Sequence, residues 1–382
     1  MEEHKELRKG VQTVCKDYPG NYWQALDKEE KYPQEFVQAL TNSGYLATLI
    51  PEKYGGSGLN LRAASVILEE IQANGCNGSA CHAQMYTMGV LLRHGSEAQK
   101  EKYLADIASG KLRLQAFAVT EPNVGSDTTR IQTRAEKVGN TYRINGQKIW
   151  TSRSMYSDLM VLLARTTPLD KVSKKTHGLS AFLVDLKKAT QSGLTIRPIQ
   201  TMMNHSTTEI FFDNLEIPSE NLIGEEGKGF YYILDGMNAE RLLIASECIG
   251  DAKWFIQKSC EYANKRVVFD RPIGQNQGIQ FPLARVYASM CAAELMVQKG
   301  CEIFDSGLSC AKEANMSLLL SSEASWEAAN AAIQTHGGFG FAAEYDIERK
   351  FRETRLYQVA PLSKNLILSY IAEHVLGLPR SY

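Results

Sequence analysis

Leu114-Gln115-Ala116-Phe117-Ala118-Val119-Thr120-Glu121-Pro122-Asn123-Val124-Gly125-Ser126-Asp127 is where the texture of this chain changes. Leu112, Leu114, Ala116 and Ala118 alternate with Arg113, Gln115 and Phe117, a period of two that predicts a β-strand closed by a polar loop. Upstream, apolar residues recur every three or four positions. Phe36, Ala39 and Leu40 share one helical face, Leu91 and Leu92 mark a second helix, and Tyr103, Leu104 and Ile107 mark another. Pro51 to Gly58 is a turn cluster between two such helices. Downstream, Thr141-Tyr142-Arg143-Ile144, Leu159 to Leu163, Ser180 to Val184, Leu194 to Ile196 and Glu209 to Phe212 read as further short strands. Asn145-Gly146 reads as a hairpin turn. After Gly227-Lys228-Gly229 the helical period returns, with long stretches at about 230–263, 276–306 and 312–335 and a shorter pair after Glu344. The expected fold is α+β: an N-terminal helical domain over 1–112, a β-domain of sandwich or barrel type over 113–225, and a C-terminal four-helix bundle over 226–382.

Composition narrows the function. The 382 residues carry 42 Lys plus Arg against 43 Asp plus Glu, a net charge of -1 with no single-sign cluster, so phosphate-backbone binding is not expected. No segment approaches the ~20 apolar residues of a bilayer span. The start, Met1-Glu2-Glu3-His4-Lys5, has neither a secretory apolar run nor an Arg-rich transit pattern, and the expected location is the cytoplasm. Eight cysteines without a Cys-x-x-Cys pair read as reduced and mostly buried. The seven histidines form no His-x-x-x-His or His/Cys cluster, so no metal site is expected.

Five features can carry chemistry. The loop Thr120 to Asp127 offers hydroxyls and amides to a polar ring or phosphate, or is an ordinary Asx-type turn. Lys148-Ile149-Trp150-Thr151-Ser152 can flank a flat heteroaromatic, or Trp150 is a core residue. Gln334-Thr335-His336-Gly337-Gly338-Phe339-Gly340 brings backbone amides to an anion, or is a glycine-rich helix end. Glu240-Arg241, following Asp235-Gly236-Met237-Asn238, is a general base in a dry cleft or a surface charge. Lys265 to Pro272 contains Arg266, suited to bidentate phosphate pairing, and Phe269, suited to stacking.

In this order the features resemble the acyl-CoA dehydrogenase family of flavoproteins, over nearly the whole chain. Ala118 to Asp127 resembles its Val-Thr-Glu-Pro-x-x-Gly-Ser-Asp loop, Asn145 to Ser152 its Asn-Gly-x-Lys-x-Trp-x-Thr/Ser segment, and Gln334 to Gly340 its Gln-x-x-Gly-Gly-x-Gly. Asn221 to Gly229 resembles the usual entry to the first bundle helix. The resemblance implies FAD held between the β-domain and the bundle, and a homotetramer. Phe117, Val119, Thr120, Gly125 and Ser126 would lie along the flavin, with Trp150 and Ser152 closing on it and Ser152 reaching N5. Arg266, Phe269, Asn276 and Gln277 would meet the pyrophosphate and adenine side. Gln334, Gly337 and Gly338 would meet the FAD of a neighbouring subunit.

Most members carry the catalytic Glu on a loop near the C-terminus, where this chain has Pro361. Isovaleryl- and long-chain-type members carry it on the first bundle helix before an Arg, and Glu240 before Arg241 matches that position. The resemblance therefore implies α-proton abstraction by Glu240, hydride transfer from the β-carbon to N5, and acyl-CoA contacts from Ser126, Asn238 and Arg241. It further implies electron transfer to an electron-transfer flavoprotein. A flavin oxidase or monooxygenase on the same fold, or a non-catalytic acyl-CoA-binding member, are the alternatives. Proline at 361 also removes a backbone N–H that in relatives helps bind the thioester carbonyl, leaving Leu362 as the next donor. Leu362-Ser363-Lys364-Asn365 and Asp270 depart from the usual family residues as well.

Overall fold

The computed structural model describes residues 4–381. Helices α1 (Lys5–Lys16), α2 (Gly20–Lys28), α3 (Gln34–Asn42), α4 (Leu61–Ala73), α5 (His82–His94) and α6 (Glu97–Ala108) precede the strands β1 (Leu114–Ala118), β2 (Arg134–Val138), β3 (Thr141–Ser152), β4 (Leu159–Arg165) and β5 (Leu179–Asp185). A short α7 (Leu186–Ala189), β6 (Leu194–Pro198), β7 (Thr207–Pro218) and β8 (Leu222–Ile223) follow. The remainder is helical: α8 (Gly229–Lys265), α9 (Gln277–Asp305), α10 (Ala311–His336), α11 (Ile347–Thr354) and α12 (Lys364–Tyr370), with a small ribbon of β9 (Val267–Val268) and β10 (Arg271–Pro272) between α8 and α9. The architecture is helical, then β-sheet, then helical. No helix among the described residues is long and apolar enough to cross a membrane.

Two compact units divide the chain. One comprises Tyr32–Leu59 and Ser79–Met237. Its centre is one continuous eight-stranded sheet in the order β6-β7-β3-β2-β4-β5-β8, with β1 added parallel to β4. One core packs Met160, Leu162, Phe182, Val184, Ile210 and Phe212. A second packs Leu114, Leu159, Val161 and Leu183 with Met88 and Leu91 of α5. Because α5 covers one side of β1, Arg113 and Gln115 are buried as well as Leu114 and Ala116, and the alternation seen in the sequence does not separate a wet face from a dry one. Arg113 is satisfied there by Thr41 Oγ1 at 2.6 Å and Gln38 Oε1 at 3.1 Å.

Asn145-Gly146 is not a turn. The β2–β3 hairpin closes at Gly139-Asn140, where Val138 pairs with Thr141 and Gly139 has φ 58°. Asn145-Gly146 lies inside β3 at a register shift against β7. Gly146 is required by crowding, since a Cβ there would lie 2.6 Å from Thr133 Cα. Asn145 Oδ1 accepts from the Asn214 amide at 2.9 Å, so the dipeptide forms a bulge rather than a chain reversal.

The other unit comprises the residues up to Lys31, Asn60–Gly78 and Asn238 onward. In it α9 and α10 pack together, α4 packs on α1 and α9, and α11 packs on α10. Asp305, at the end of α9, accepts from the Leu61 and Arg62 amides at 2.8 and 3.1 Å and so caps α4 along with Asn60. Helix α8 has 37 residues, about 55 Å at ~1.5 Å per residue. None of the eight cysteines forms a disulfide, and six of them are buried. No cluster of metal-ligating side chains exists among the described residues.

Candidate active site

Glu240 is a buried ionisable group on α8. It is 7% exposed and makes no hydrogen bond or ion pair with another side chain among the described residues. Burial pushes its carboxyl up to about 7, against the opposing charge of Arg241. Arg241 is only partly exposed, and burial lowers its pKa. Its Nη1 donates to Asn238 Oδ1 at 2.8 Å, while Nε is buried without a partner. One helical turn thus presents a proton-accepting carboxyl, a guanidinium with a spare donor, and an amide that fixes the guanidinium. This arrangement can take a proton from carbon and bind an oxygen-rich group beside it.

The β-sheet unit gathers the loop 119–126 and the end of β3. The Ile149 amide donates to Thr120 O at 3.0 Å. Lys148 Nζ donates to Val119 O at 2.8 Å and to Glu121 Oε1 at 2.9 Å. Glu121 also accepts from the Gln132 and Thr133 amides at 2.6 and 2.8 Å. Lys148 is fully buried, and burial brings its pKa down to about 8 despite the carboxylate. Burial also presses the Glu121 carboxyl upward, but Lys148 and the amide donors outweigh it and hold it below the usual range. These two residues were not among the expected site residues. A lysine at an inward position of a strand, following a loop glutamate, is the pattern that points to them.

On this support Phe117, Val119, Thr120 and Ser152 are partly exposed, Gly125 and Ser126 are exposed, and Trp150 is 58% exposed with φ 61°. A Trp held open in a left-handed backbone is not a core residue, and a flat ring against it would remove its apolar face from water. Nothing lies within 4 Å of a Cβ built on Gly125, so that backbone is open to a ligand. The residues present fit a flavin.

In the helical unit, β9 and β10 form a hairpin whose two turn residues, Phe269 and Asp270, have φ 52° and 61°. That turn leaves Phe269 93% exposed. Asn276, which precedes α9 and Gln277, accepts from Arg271 Nη2 at 2.8 Å. At the end of α10 Gln334, Gly337 and Gly338 are exposed, with Gly337 at φ 59° and open space around both glycines. The Arg266 guanidinium lies 5.8 Å from the Phe339 ring centre, so the hairpin side and the turn after α10 are neighbours on one unit. A cleft of about 870 Å³ there is lined by Lys258, Lys265, Arg266, Tyr262, His336 and Phe339, and also by Glu261, Glu344 and Asp346. Its cations and rings can meet a phosphate-bearing heteroaromatic only where the charge balance with those carboxylates leaves Arg266 available.

Comparison with known proteins identifies the family. Residues 1–111, 116–215 and 227–376 match the N-terminal, middle and C-terminal domain models of acyl-CoA dehydrogenases. The chain is 31% identical over 381 residues to an acyl-CoA dehydrogenase of Bacillus subtilis, covering 98% of each. It is 32% identical over 361 residues to the caffeyl-CoA reductase–Etf complex subunit CarC of Acetobacterium woodii, covering 94% of each. The structure of butyryl-CoA dehydrogenase from Megasphaera elsdenii superposes with a TM-score of 0.91 at 26% identity, covering 98% of each chain. This chain belongs to the acyl-CoA dehydrogenase family and is an FAD-dependent oxidoreductase.

Proposed function

We propose that the chain dehydrogenates an acyl-CoA thioester between its α- and β-carbons, with Glu240 as the base for the α-proton. The observation that carries this reading is a buried, unpaired carboxyl whose pKa is pushed up to about 7. An α-hydrogen beside a thioester is a far weaker acid than a carboxylic acid, and a base of raised pKa narrows that gap at neutral pH. When bound, FAD accepts the β-hydrogen as hydride. Arg241, oriented by Asn238, and Ser126 are assigned to the thioester substrate.

Phe117, Val119, Thr120, Gly125, Ser126, Trp150 and Ser152 are assigned to the flavin ring. Arg266, Phe269, Asn276 and Gln277 are assigned to the adenine and pyrophosphate half, and Gln334, Gly337 and Gly338 to the FAD of a neighbouring subunit. Arg266 stands over Phe339, so the hairpin side and the α10 turn are neighbours. The A. woodii relative is named as part of an Etf complex, which supports an electron-transfer flavoprotein as the electron acceptor. Exposed Phe269, Phe281 and Leu295 support a homotetramer that covers them.

The test is anaerobic titration of the FAD-loaded protein with short, long, branched and aromatic acyl-CoAs. Bleaching of the flavin band by one ester supports the reading. Oxygen consumption without any acyl-CoA dependence would replace it with an oxidase.

A further inference from the structure

Asp251 interrupts an apolar stretch of α8, Cys248-Ile249-Gly250-Asp251-Ala252, and Lys350 lies in the middle of α11. Both belong to the helical unit. Both side chains are 0% exposed, and Lys350 Nζ is in direct contact with Asp251 Oδ1. The same Nζ donates to Gln72 Oε1 at 2.6 Å and to the Cys76 carbonyl at 3.1 Å. Nothing comparable serves the acid. Apart from Lys350, neither Asp251 oxygen has a hydrogen-bond donor among the described residues. Glu353, nearly one turn on from Lys350, brings Oε2 to 3.6 Å from that Nζ, and this oxygen accepts no hydrogen bond either. Its other oxygen, Oε1, is held by Arg349 Nη1 at 2.8 Å.

The buried pair of the β-sheet unit shows how a carboxylate is kept as an anion. Glu121 accepts from Lys148 and from two backbone amides, and its carboxyl lies below the usual range. Asp251 has no such amides. Burial pushes its carboxyl up to about 7 against the ammonium of Lys350, and Glu353 and Glu247 add to the push. Two buried charges with so few donors to the anion are costly, and a proton passed from Nζ to the carboxyl removes both at once. That transfer leaves a neutral amine in contact with a neutral carboxylic acid. These are the reactants of an amide, and in a site where both side chains are fully buried the reverse hydrolysis lacks its water.

We infer that Lys350 Nζ and Asp251 Cγ join in an amide, a covalent cross-link between α8 and α11, with Glu353 as the proton carrier. Nζ forms one bond to Cγ, one Cγ–O bond breaks, and that oxygen leaves as water. Of the three ammonium protons, one stays on the amide nitrogen and two depart with the oxygen, carried across by Glu353 Oε2. No electron changes hands and no co-reactant enters. The amide nitrogen keeps its one hydrogen for Gln72 Oε1. The cross-link is a modification of the chain itself and is independent of which acyl group the enzyme takes.

The test is the mass of the whole chain in denaturing solvent, which releases any bound cofactor or partner. The linked protein weighs one water, about 18 Da, less than its sequence. Trypsin should leave the Lys350–Phe351 bond uncut and yield one branched peptide joining 242–253 to 350–352. Asp251→Ala should return the mass to the sequence value, and Glu353→Gln should slow the appearance of the link about 100-fold after synthesis. A parent chain at the full sequence mass, with cleavage after Lys350, overturns the inference and needs no variant to fold. So does a water lost within one linear peptide, as from a succinimide at Asp235-Gly236. Link formation at the parent rate in Glu353→Gln overturns the part given to Glu353.

Discussion

As the proposed base, Glu240 sets the pH behaviour expected of the enzyme. The base must be ionised to act, so kcat/KM should rise as pH increases through about 7, and a pH–rate profile checks it. Glu240→Gln should abolish that limb and nearly all flavin reduction by substrate while leaving FAD bound; normal turnover would remove Glu240 from its role. The same burial has a stability cost of defined sign. A carboxyl whose folded-state pKa is raised favours the folded protein when protonated, and the cost grows as pH rises from the ordinary carboxylate range through about 7. Thermal melts at pH 8 should therefore show Glu240→Gln at least as stable as the parent, with a gain of up to the order of 3 kcal/mol. Arg266→Ala should reduce FAD content, read from the ratio of flavin to protein absorbance. Glu240-Arg241 was readable in the sequence as a charged pair between apolar turns, but its dryness was not, because burial is a property of what packs around a helix.

At the scale of elements, the loop 119–126 depends on a charge inside the sheet. Lys148 on β3 and Glu121 on the loop pair at 2.9 Å with the lysine fully buried. Removing one partner leaves the other charged or desolvated without compensation. Lys148→Met should cost about 3–5 kcal/mol in denaturant unfolding and weaken FAD binding together, since the loop is positioned by that ammonium. Loss of stability with unchanged FAD affinity would show that the loop holds itself. The strand periodicity near Leu114 and the long helical stretches located these elements correctly in the chain. Asn145-Gly146 misled because the same dipeptide serves a turn or a bulge, and the choice was made by β7, whose Asn214 takes up the Asn145 side chain. Only the pairing partner supplies that information.

At the scale of the molecule, the helical unit is tied by a buried polar network. Lys350 and Asp251, both fully buried, form an ion pair, and Lys350 Nζ also donates to Gln72 Oε1 at 2.6 Å. Tyr357 Oη donates to Glu247 Oε2 at 2.9 Å and accepts from Gln72 Nε2 at 3.1 Å. Helices α4, α8 and α11 and the segment leading to Pro361 are thereby fixed together, while Ile244 and Cys248 of α8 pack with Tyr357 and Leu362. Lys350→Met should destabilise by about 3–5 kcal/mol, and adding Asp251→Leu should recover the part of that loss due to the unpaired Asp251, as a denaturation double-mutant cycle would measure. The sequence by itself determined the α, β, α order and, through the resemblance of its motifs, the family and its FAD, because hydrophobic period and local motifs are written along the chain. The tertiary structure alone decided that Lys148 and Lys350 are buried beside a counter-ion, and that Arg266 meets the end of α10. Those facts depend on residues dozens to hundreds of positions apart coming into contact, where burial changes the energy of a charge far more than any neighbour in sequence does.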